Sequence, residues 1–202
     1  IPFFSVKEND AAYLSIGLQF DVSNYYVYNE RNESIQEYDL METYGAIKKF
    51  EELLRYLDLK QFNIIEPLAS VTSFAIYEIL RREYGDEQLK QMGSCWTPQQ
   101  NGSPCGKCLK CQRVAYIYNA LGLKLSEHEK ESLKLLEESN VPLAYLFGSI
   151  TCEKLLCKYD ASELKHMLFI DDKVFDLDKG IHKDISEIYG LKIIENPLKP
   201  VK

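Results

Sequence analysis

The feature of this chain that most constrains its fold is a cluster of four cysteines in a polar, glycine- and proline-containing segment. The cysteines follow the spacing Cys95-x9-Cys105-x2-Cys108-x2-Cys111. Thiolates two residues apart can face one ion, and four of them complete the tetrahedral shell that zinc prefers. Gly106 follows Cys105 directly and gives the backbone the freedom that a tight metal loop requires. The spacing therefore predicts a zinc site with these four cysteines as ligands.

Two other interpretations of the cluster stay open at this point. The run from Cys105 to Cys111 has the spacing of the first three ligands of a bacterial ferredoxin, although Ala115 stands where the fourth cysteine would be. The cysteines could also be free thiols, but packing alone does not explain four of them in one polar loop. The charge of four thiolates on one zinc ion is offset by three neighbouring basic residues: Lys107, Lys110 and Arg113.

The remaining thiols and the histidines are not expected to form a second site. Cys152 and Cys157 are flanked by leucines and are predicted to be core thiols. The histidines are scattered singly, and each is predicted to be an ordinary surface or core residue: His128, His166 and His182.

Composition limits the partners and the compartment. The 202 residues are 46% hydrophobic and 27% charged, as in ordinary globular proteins. The net charge of −7 gives no general attraction to nucleic acid or to anionic lipid, so we expect no membrane and no nucleic-acid partner. No apolar run approaches the roughly 18 residues of a membrane span. Clustered thiols, and a start that does not resemble a signal peptide, favour the cytoplasm.

Hydrophobic periodicity predicts an α/β fold in the first part of the chain. Strands are expected at 11–22 and 62–65, and helices at 43–58 and 72–84, the second capped by Thr72 or Ser73. The polar passage 23–39 reads as a long loop or an irregular hairpin. The order strand, helix, strand, helix is typical of a Rossmann-like parallel layer. The apolar stripe of the first helix is expected to face the core: Ile47, Phe50, Leu53, Leu54 and Leu57.

The second part of the chain is less regular. A helix is predicted at 109–121, and the capping box of Ser126 and Glu129 starts another that runs to about 139. Short strands are expected at 167–170 and 191–194, with a turn-rich connection over 171–180. We place a boundary after residue 122, so that 1–122 carries the zinc loop and 123–202 is a smaller mixed α/β extension.

Motifs of nucleotide and hydrolytic chemistry are missing from the sequence. It contains no G-x-x-x-x-G-K-[ST], G-x-G-x-x-G, G-x-S-x-G or H-E-x-x-H. No catalytic residue is therefore predicted.

Several stretches together resemble the later half of ExsB-type PP-loop enzymes, whose best-known member is 7-cyano-7-deazaguanine (preQ0) synthase. The shared pattern is a strand ending in Pro-Leu, a helix, Ser-Cys, a Cys-Gly-x-Cys-x-x-Cys run with an arginine soon after, and a helix ending in glycine. It falls on 62–68, the helix from Thr72, 93–96, 104–113 and 119–122. The resemblance spans about residues 11–122, and the cysteine run is its specific part.

The resemblance implies an adenine-nucleotide α-hydrolase fold and an enzyme of the ligase type. Such enzymes use ATP to adenylate a carboxylate on a small molecule, release pyrophosphate and let an amine or ammonia attack, forming an amide or a nitrile. Carried over by position, the four cysteines would hold a structural zinc ion beside the active site. Asp21, Ser23 and Tyr25 correspond to the family's Asp-x-Ser-Gly-Tyr at the substrate pocket, and Lys107 and Arg113 would place positive charge near phosphates. A polar loop that only caps a strand is the alternative for Asp21 to Tyr25.

Some family positions differ in this sequence. The Ser-Gly-Gly-x-Asp-Ser phosphate loop is missing, the Pro-Asp-Cys-Arg after the tyrosine is replaced, and Ser73 and Ala75 stand where a lysine and a glutamate are expected. We therefore expect a portion of a longer enzyme, in which ATP binds only together with that loop. The alternative is a non-enzymatic zinc-stabilised module that binds a protein or, less readily, a nucleic acid; oligomers are compatible with either.

Overall fold

The structure is a computed structural model with a mixed, helix-rich α/β architecture. It describes residues 3–5, 12–15, 27–28, 34–35, 44–58, 62–65, 67–92, 95, 97–99, 102–147, 150–170 and 176–195. No helix in these described ranges is long and apolar enough to cross a membrane.

The first part of the chain forms a small three-stranded sheet. The elements of this part of the chain are, in order, β1 (Phe3–Ser5), β2 (Ala12–Ser15), β3 (Val27–Tyr28), β4 (Ser34–Ile35), α1 (Tyr44–Tyr56) and β5 (Phe62–Ile65). β1 pairs antiparallel with β2, whereas β2 and β5 are parallel, with Ala12 opposite Phe62. The predicted strand–helix–strand unit is thus present as β2–α1–β5. β3 and β4 pair antiparallel inside the passage that was expected to be a loop or an irregular hairpin.

The apolar stripe of α1 is not buried as its periodicity predicts. Phe50 is 41% exposed, Leu53 48% and Leu57 57%. The prediction of a core-facing position was wrong for these three side chains, because periodicity identifies a shared face of a helix but not whether a neighbour covers it.

Helix α2 (Ser73–Gln91) begins where its cap predicts and continues beyond the predicted end at residue 84. The hydroxyl of Thr72 accepts a hydrogen bond from the amide of Ala75 and so caps the first turn. Gly85 has φ +80° and ψ 166°, which interrupts the helical backbone directly after the predicted end. The apparent extension is therefore a second helical segment beyond a kink.

Two helices connect the cysteine loop to the rest of the molecule. α3 (Leu109–Ala120) follows the loop, and Gly122, just after the C-cap residue Leu121, has φ +73°, a conformation that ends the helix. α4 (Glu127–Glu138) starts with the predicted capping box, in which both the Ser126 and the Glu129 hydrogen bonds are formed. α3 and α4 pack against each other.

The last part of the chain contains short helices and a parallel pair of strands. Its elements are α5 (Leu143–Phe147), α6 (Ile150–Leu156), α7 (Ala161–Leu164), β6 (Met167–Ile170), α8 (Asp176–Tyr189) and β7 (Lys192–Glu195). β6 and β7 are parallel, with Met167 opposite Lys192. The turn-rich connection predicted up to residue 180 was wrong from residue 176 onward, since α8 begins at Asp176. Gly180 is tolerated inside this helix at a modest cost in helix propensity.

One hydrophobic core includes side chains from both sides of the predicted boundary at 122. Phe74 of α2 and Tyr118 of α3 belong to the same buried cluster as Leu155 of α6 and Phe169 of β6. The backbone adds to this contact, because the amide of Phe169 donates to the carbonyl of Ser70 at 2.7 Å. The cysteine loop is thus attached, through α3, to this core. The division into 1–122 and 123–202 stays a prediction.

Candidate metal centre

The four predicted cysteine ligands converge on one point. Cys95 and Cys105 lie in the loop before α3, Cys108 is the N-cap of α3, and Cys111 lies in its first turn. None of the four forms a disulfide, and their Sγ atoms lie within 4.8 Å of one another. The start of α3 sets this arrangement, because it turns Cys108 and Cys111 back toward the preceding loop. The structure therefore forms a four-sulfur cluster able to hold a metal ion.

The spacing of the sulfur atoms suits a single ion. The Sγ atoms of Cys95 and Cys108 are 3.9 Å apart, and that of Cys111 lies 3.9 Å from Cys105 and 3.6 Å from Cys108. A zinc ion about 2.3 Å from each of four tetrahedral sulfurs would separate them by about 3.8 Å. A four-iron cluster is several ångström across and would need wider spacing. Both the donor set and its dimensions therefore fit zinc.

Backbone amides surround the sulfur atoms with hydrogen-bond donors. The amide of Cys105 donates to the Sγ of Cys95 at 3.3 Å, and the amide of Cys108 donates to the Sγ of Cys105 at 3.4 Å. The amides of Lys107 and Gly106 act toward a lower pKa of Cys105 and of Cys111 respectively. Such donors favour the thiolate over the thiol, and the thiolate is the form that binds metal.

The environments of two ligands shift their pKa values in opposite directions. The pKa of Cys105 is lowered from 9.0 to about 5, first by a hydrogen bond from the Thr97 side chain and then by the amides of Lys107 and Cys108. The pKa of Cys111 is raised from 9.0 to about 12, chiefly by burial. Without a metal, Cys105 is thus a thiolate at neutral pH and Cys111 a thiol.

Side chains of α3 and α4 hold the loop from outside. The hydroxyl of Ser132 donates to the carbonyl of Gly106 at 2.7 Å, and Nε2 of Gln112 donates to the carbonyl of Lys107 at 3.0 Å. Gly106 has φ +72°, and a Cβ there would lie 2.3 Å from the His128 ring. Only glycine fits this position, since both the backbone conformation and the ring exclude a side chain. Cys105-Gly106 is therefore a fixed turn beneath α4.

The predicted basic residues near the loop differ in their surroundings. Lys107 is exposed and Lys110 is half-buried. The guanidinium of Arg113 donates to the Ser73 hydroxyl at 2.7 Å and lies 5.1 Å from the centre of the Phe147 ring. Arg113 therefore joins α3 to the start of α2.

A cavity of about 410 Å³ borders the cysteine cluster at Cys95 and Cys111. Lys90, Tyr118 and Ser132 line it, but their polar groups already donate to backbone carbonyls. The Nε2 atom of His128, another lining residue, is buried and has no hydrogen-bond partner.

The predicted substrate-pocket residues Asp21, Ser23 and Tyr25 lie outside the described residues, so their role stays a prediction.

Other sequence predictions near the site have mixed outcomes. Cys152 is fully buried, as predicted, but Cys157 is exposed and its assignment to the core was wrong. Cys157 follows the last turn of α6, so its leucine neighbours face the core while its own side chain points to solvent. His182 is buried and its Nδ1 lies 2.9 Å from the Ser70 hydroxyl, as a core histidine would.

The loop-supporting residues Thr97, Gln112 and Ser132 were not singled out from the sequence. The only signal for Ser132 is its spacing of four from His128, which places both on one face of α4. That spacing does not show what the face contacts.

Comparison with known proteins gives a family match. The family model described as queuosine biosynthesis protein QueC matches residues 32–122, a little under half of the chain. No curated protein and no solved structure matches. The match includes all four cysteines, α1, β5, α2 and α3, and ends at the glycine after α3. The resemblance to the zinc-binding half of this PP-loop family, predicted from the cysteine run, is thereby confirmed for residues 32–122.

Proposed function

We propose that Cys95, Cys105, Cys108 and Cys111 bind one structural Zn²⁺ ion in a PP-loop enzyme of the QueC type. The spacing of the sulfur atoms carries this proposal, since all four lie within 4.8 Å of one another and three of the pairs are 3.6 to 3.9 Å apart, which suits one tetrahedral ion. All four positions are taken by protein, so zinc would have no open site for substrate. Its chemistry would be to close the loop and contribute to folding.

The proposed reaction is that of the related enzymes. ATP would adenylate a carboxylate of a small molecule, pyrophosphate would leave, and a nitrogen nucleophile would attack the activated carbonyl to give an amide or a nitrile. Support comes from the QueC match and from the parallel β2–α1–β5 unit, which suits a Rossmann-like sheet. The sequence contains no Ser-Gly-Gly-x-Asp-Ser loop. The proposal therefore assigns ATP binding only to a protein that also has such a phosphate loop.

Specific residues are proposed for the small-molecule site. Asp21, Ser23 and Tyr25 would contact the acceptor substrate, in line with their place at and after the end of the strand predicted at 11–22. Lys107 is exposed and so accessible to an anionic group. Arg113 would act from a fixed position, because Ser73 and Phe147 hold its guanidinium. The clustered thiols from Cys95 to Cys111 support a reducing compartment, so we propose a cytoplasmic location.

Metal analysis with an ATP titration tests this proposal. We expect one zinc per purified chain and no saturable ATP binding by these 202 residues. Replacing Cys108 with serine should abolish zinc binding, whereas replacing the exposed Cys157 with serine should leave one zinc bound. Absence of zinc from the wild-type chain, or iron with sulfide, would overturn the metal assignment. Tight ATP binding would overturn the assignment of phosphate binding to the missing loop.

A zinc-stabilised binding module is the second candidate, and one observation favours it. Side chains of α1 and of the turn after it expose apolar surface at Phe50, Leu53, Tyr56 and Leu57, with Tyr56 87% exposed. Contiguous exposed apolar side chains of this kind mark interaction sites, among them contact surfaces for other proteins. Light scattering would show oligomers if copies of the chain cover this face. Loss of oligomers on Leu53→Glu would assign the face to self-association.

A further inference from the structure

Two peptide units of the cysteine loop are held at their oxygen atoms by helix side chains. The Ser132 hydroxyl, on α4, donates to the carbonyl of Gly106 at 2.7 Å, and this hydrogen bond is buried. The same hydroxyl lies farther, at 3.0 Å, from the His128 carbonyl of its own helix. Gln112, on α3, donates through Nε2 to the carbonyl of Lys107 at 3.0 Å. Both contacts fix the orientation of a peptide plane.

The opposite sides of the same peptide planes face a metal ligand. In a planar trans peptide the N–H points away from the C=O. The N–H paired with the Gly106 carbonyl is that of Lys107, and the N–H paired with the Lys107 carbonyl is that of Cys108. The N–H of Cys108 donates to the Sγ of Cys105 at 3.4 Å, and the N–H of Lys107 lowers the pKa of the same thiol. Gln112 therefore holds an N–H that donates to the sulfur of Cys105, and Ser132 orients the neighbouring peptide unit, whose N–H favours the thiolate of the same residue.

Packing against α4 restricts the loop further. The His128 ring occupies the space beside the Cα of Gly106, so that a Cβ there would meet three ring atoms at 2.3 to 2.8 Å. Ser132 is 1% exposed, and water therefore has little access to replace its hydrogen bond. If the Gly106 peptide rotated, its carbonyl would lose the Ser132 hydrogen bond.

We propose that Ser132 and Gln112 are positioning residues of the metal centre, which act on the Cys105 thiolate through peptide units 106–107 and 107–108. They orient two N–H groups that favour this thiolate and so slow the loss of the metal. The inference rests on the proposed zinc site. Ser132 lies on α4, outside the matched residues 32–122. In this chain an element of the extension therefore completes the metal centre.

Zinc release into an excess of a chromophoric chelator tests the role of Ser132. Loss of an outer-shell partner of a metal ligand costs about 10- to 100-fold in affinity, so we expect Ser132→Ala to release zinc at least about tenfold faster than wild type. Ser132→Thr keeps the hydroxyl and should restore most of the difference. Ser139→Ala is the matched control, since Ser139 also caps a carbonyl of α4, that of Leu136 at 2.9 Å. It should release zinc at the wild-type rate.

Cobalt substitution separates positioning from general stability. We expect Ser132→Ala and Gln112→Met each to shift the thiolate-to-Co²⁺ charge-transfer band, because each removes support for one N–H that favours the Cys105 thiolate, whereas Ser139→Ala should not. If Ser132→Ala does not fold, Gln112→Met decides by the same two measurements. Wild-type release rates and spectra in the variants would overturn the inference alone. A wild-type chain without zinc would overturn both the inference and the proposed metal site.

Discussion

At the scale of single residues, Cys105 and Cys111 show how one loop gives two ligands different proton affinities. In the metal-free protein the pKa of Cys105 is about 5 and that of Cys111 about 12. We expect iodoacetamide to alkylate Cys105 at pH 6 to 7 and to leave Cys111 unmodified, because the thiolate is the reactive form. Thr97→Val should move the alkylation profile of Cys105 to higher pH, since the Thr97 hydrogen bond is the largest cause of the lowered pKa. Peptide mapping by mass spectrometry at a series of pH values measures both.

The controls for this experiment are Thr97→Ser, which keeps the hydroxyl, and the chain in urea, where Cys105 should titrate near 9.0.

The two shifted pKa values also make the stability of the metal-free fold depend on pH. The depressed pKa of Cys105 stabilises the metal-free fold above pH 9 and this contribution is lost between pH 9 and about 5, as the thiolate is protonated. The raised pKa of Cys111 has the opposite effect, stabilising below pH 9 and losing its contribution toward about pH 12. Identical alkylation profiles of Cys105 in Thr97→Val and in the wild type would contradict the assignment of its lowered pKa to Thr97.

At the scale of elements, one hydroxyl joins the start of α2 to the end of α7. Thr72 accepts from the Ala75 amide at 3.1 Å and donates to the Leu164 carbonyl at 3.2 Å, and it is fully buried. Thr72→Val keeps the volume but removes the cap and the second hydrogen bond, each worth about 1 kcal/mol. We expect a loss of about 2 kcal/mol in the free energy of unfolding, measured by urea denaturation. Thr72→Ser keeps the hydroxyl and should lose clearly less; equal losses would show that the methyl group, not the hydroxyl, matters.

The same helix shows what could be predicted from the sequence and what could not. The N-cap at Thr72 and the capping box at Ser126 are local patterns, and both are present in the structure. The four cysteines were predicted because metal-ligand spacing is also local. The contact of Ser132 with Gly106 joins residues 26 apart and depends on how α4 packs against α3. No local pattern contains that information. For the same reason Leu53 and Cys157 were wrongly predicted to face the core, although both are exposed in the structure.

At the scale of the whole molecule, the metal loop and the extension share one core. Cys111 lies in the first turn of α3, whose Ile117 and Tyr118 pack in the same cluster as Leu155, Leu164 and Phe169. Backbone contacts also join β6 to the segment before α2. Val71 forms an isolated antiparallel β-bridge with Leu168, and the amide of Phe169 donates to the carbonyl of Ser70. Loosening of the loop should therefore reach β6 through α3 and α2, because close-packed interiors transmit strain.

Hydrogen exchange with and without zinc tests this coupling. We expect a chelator to speed exchange at the amides of α3 and also at that of Phe169 in β6, since a structural metal contributes free energy to the whole cooperative unit that holds it. The Cys157→Ser variant, which keeps the four ligands, should respond as wild type does, whereas Cys108→Ser should exchange like the chelated protein from the start. Fast exchange in α3 with unchanged protection at Phe169 would mean that the extension unfolds independently. The boundary near residue 122 would then separate two folding units, despite the side chains that they share in one core.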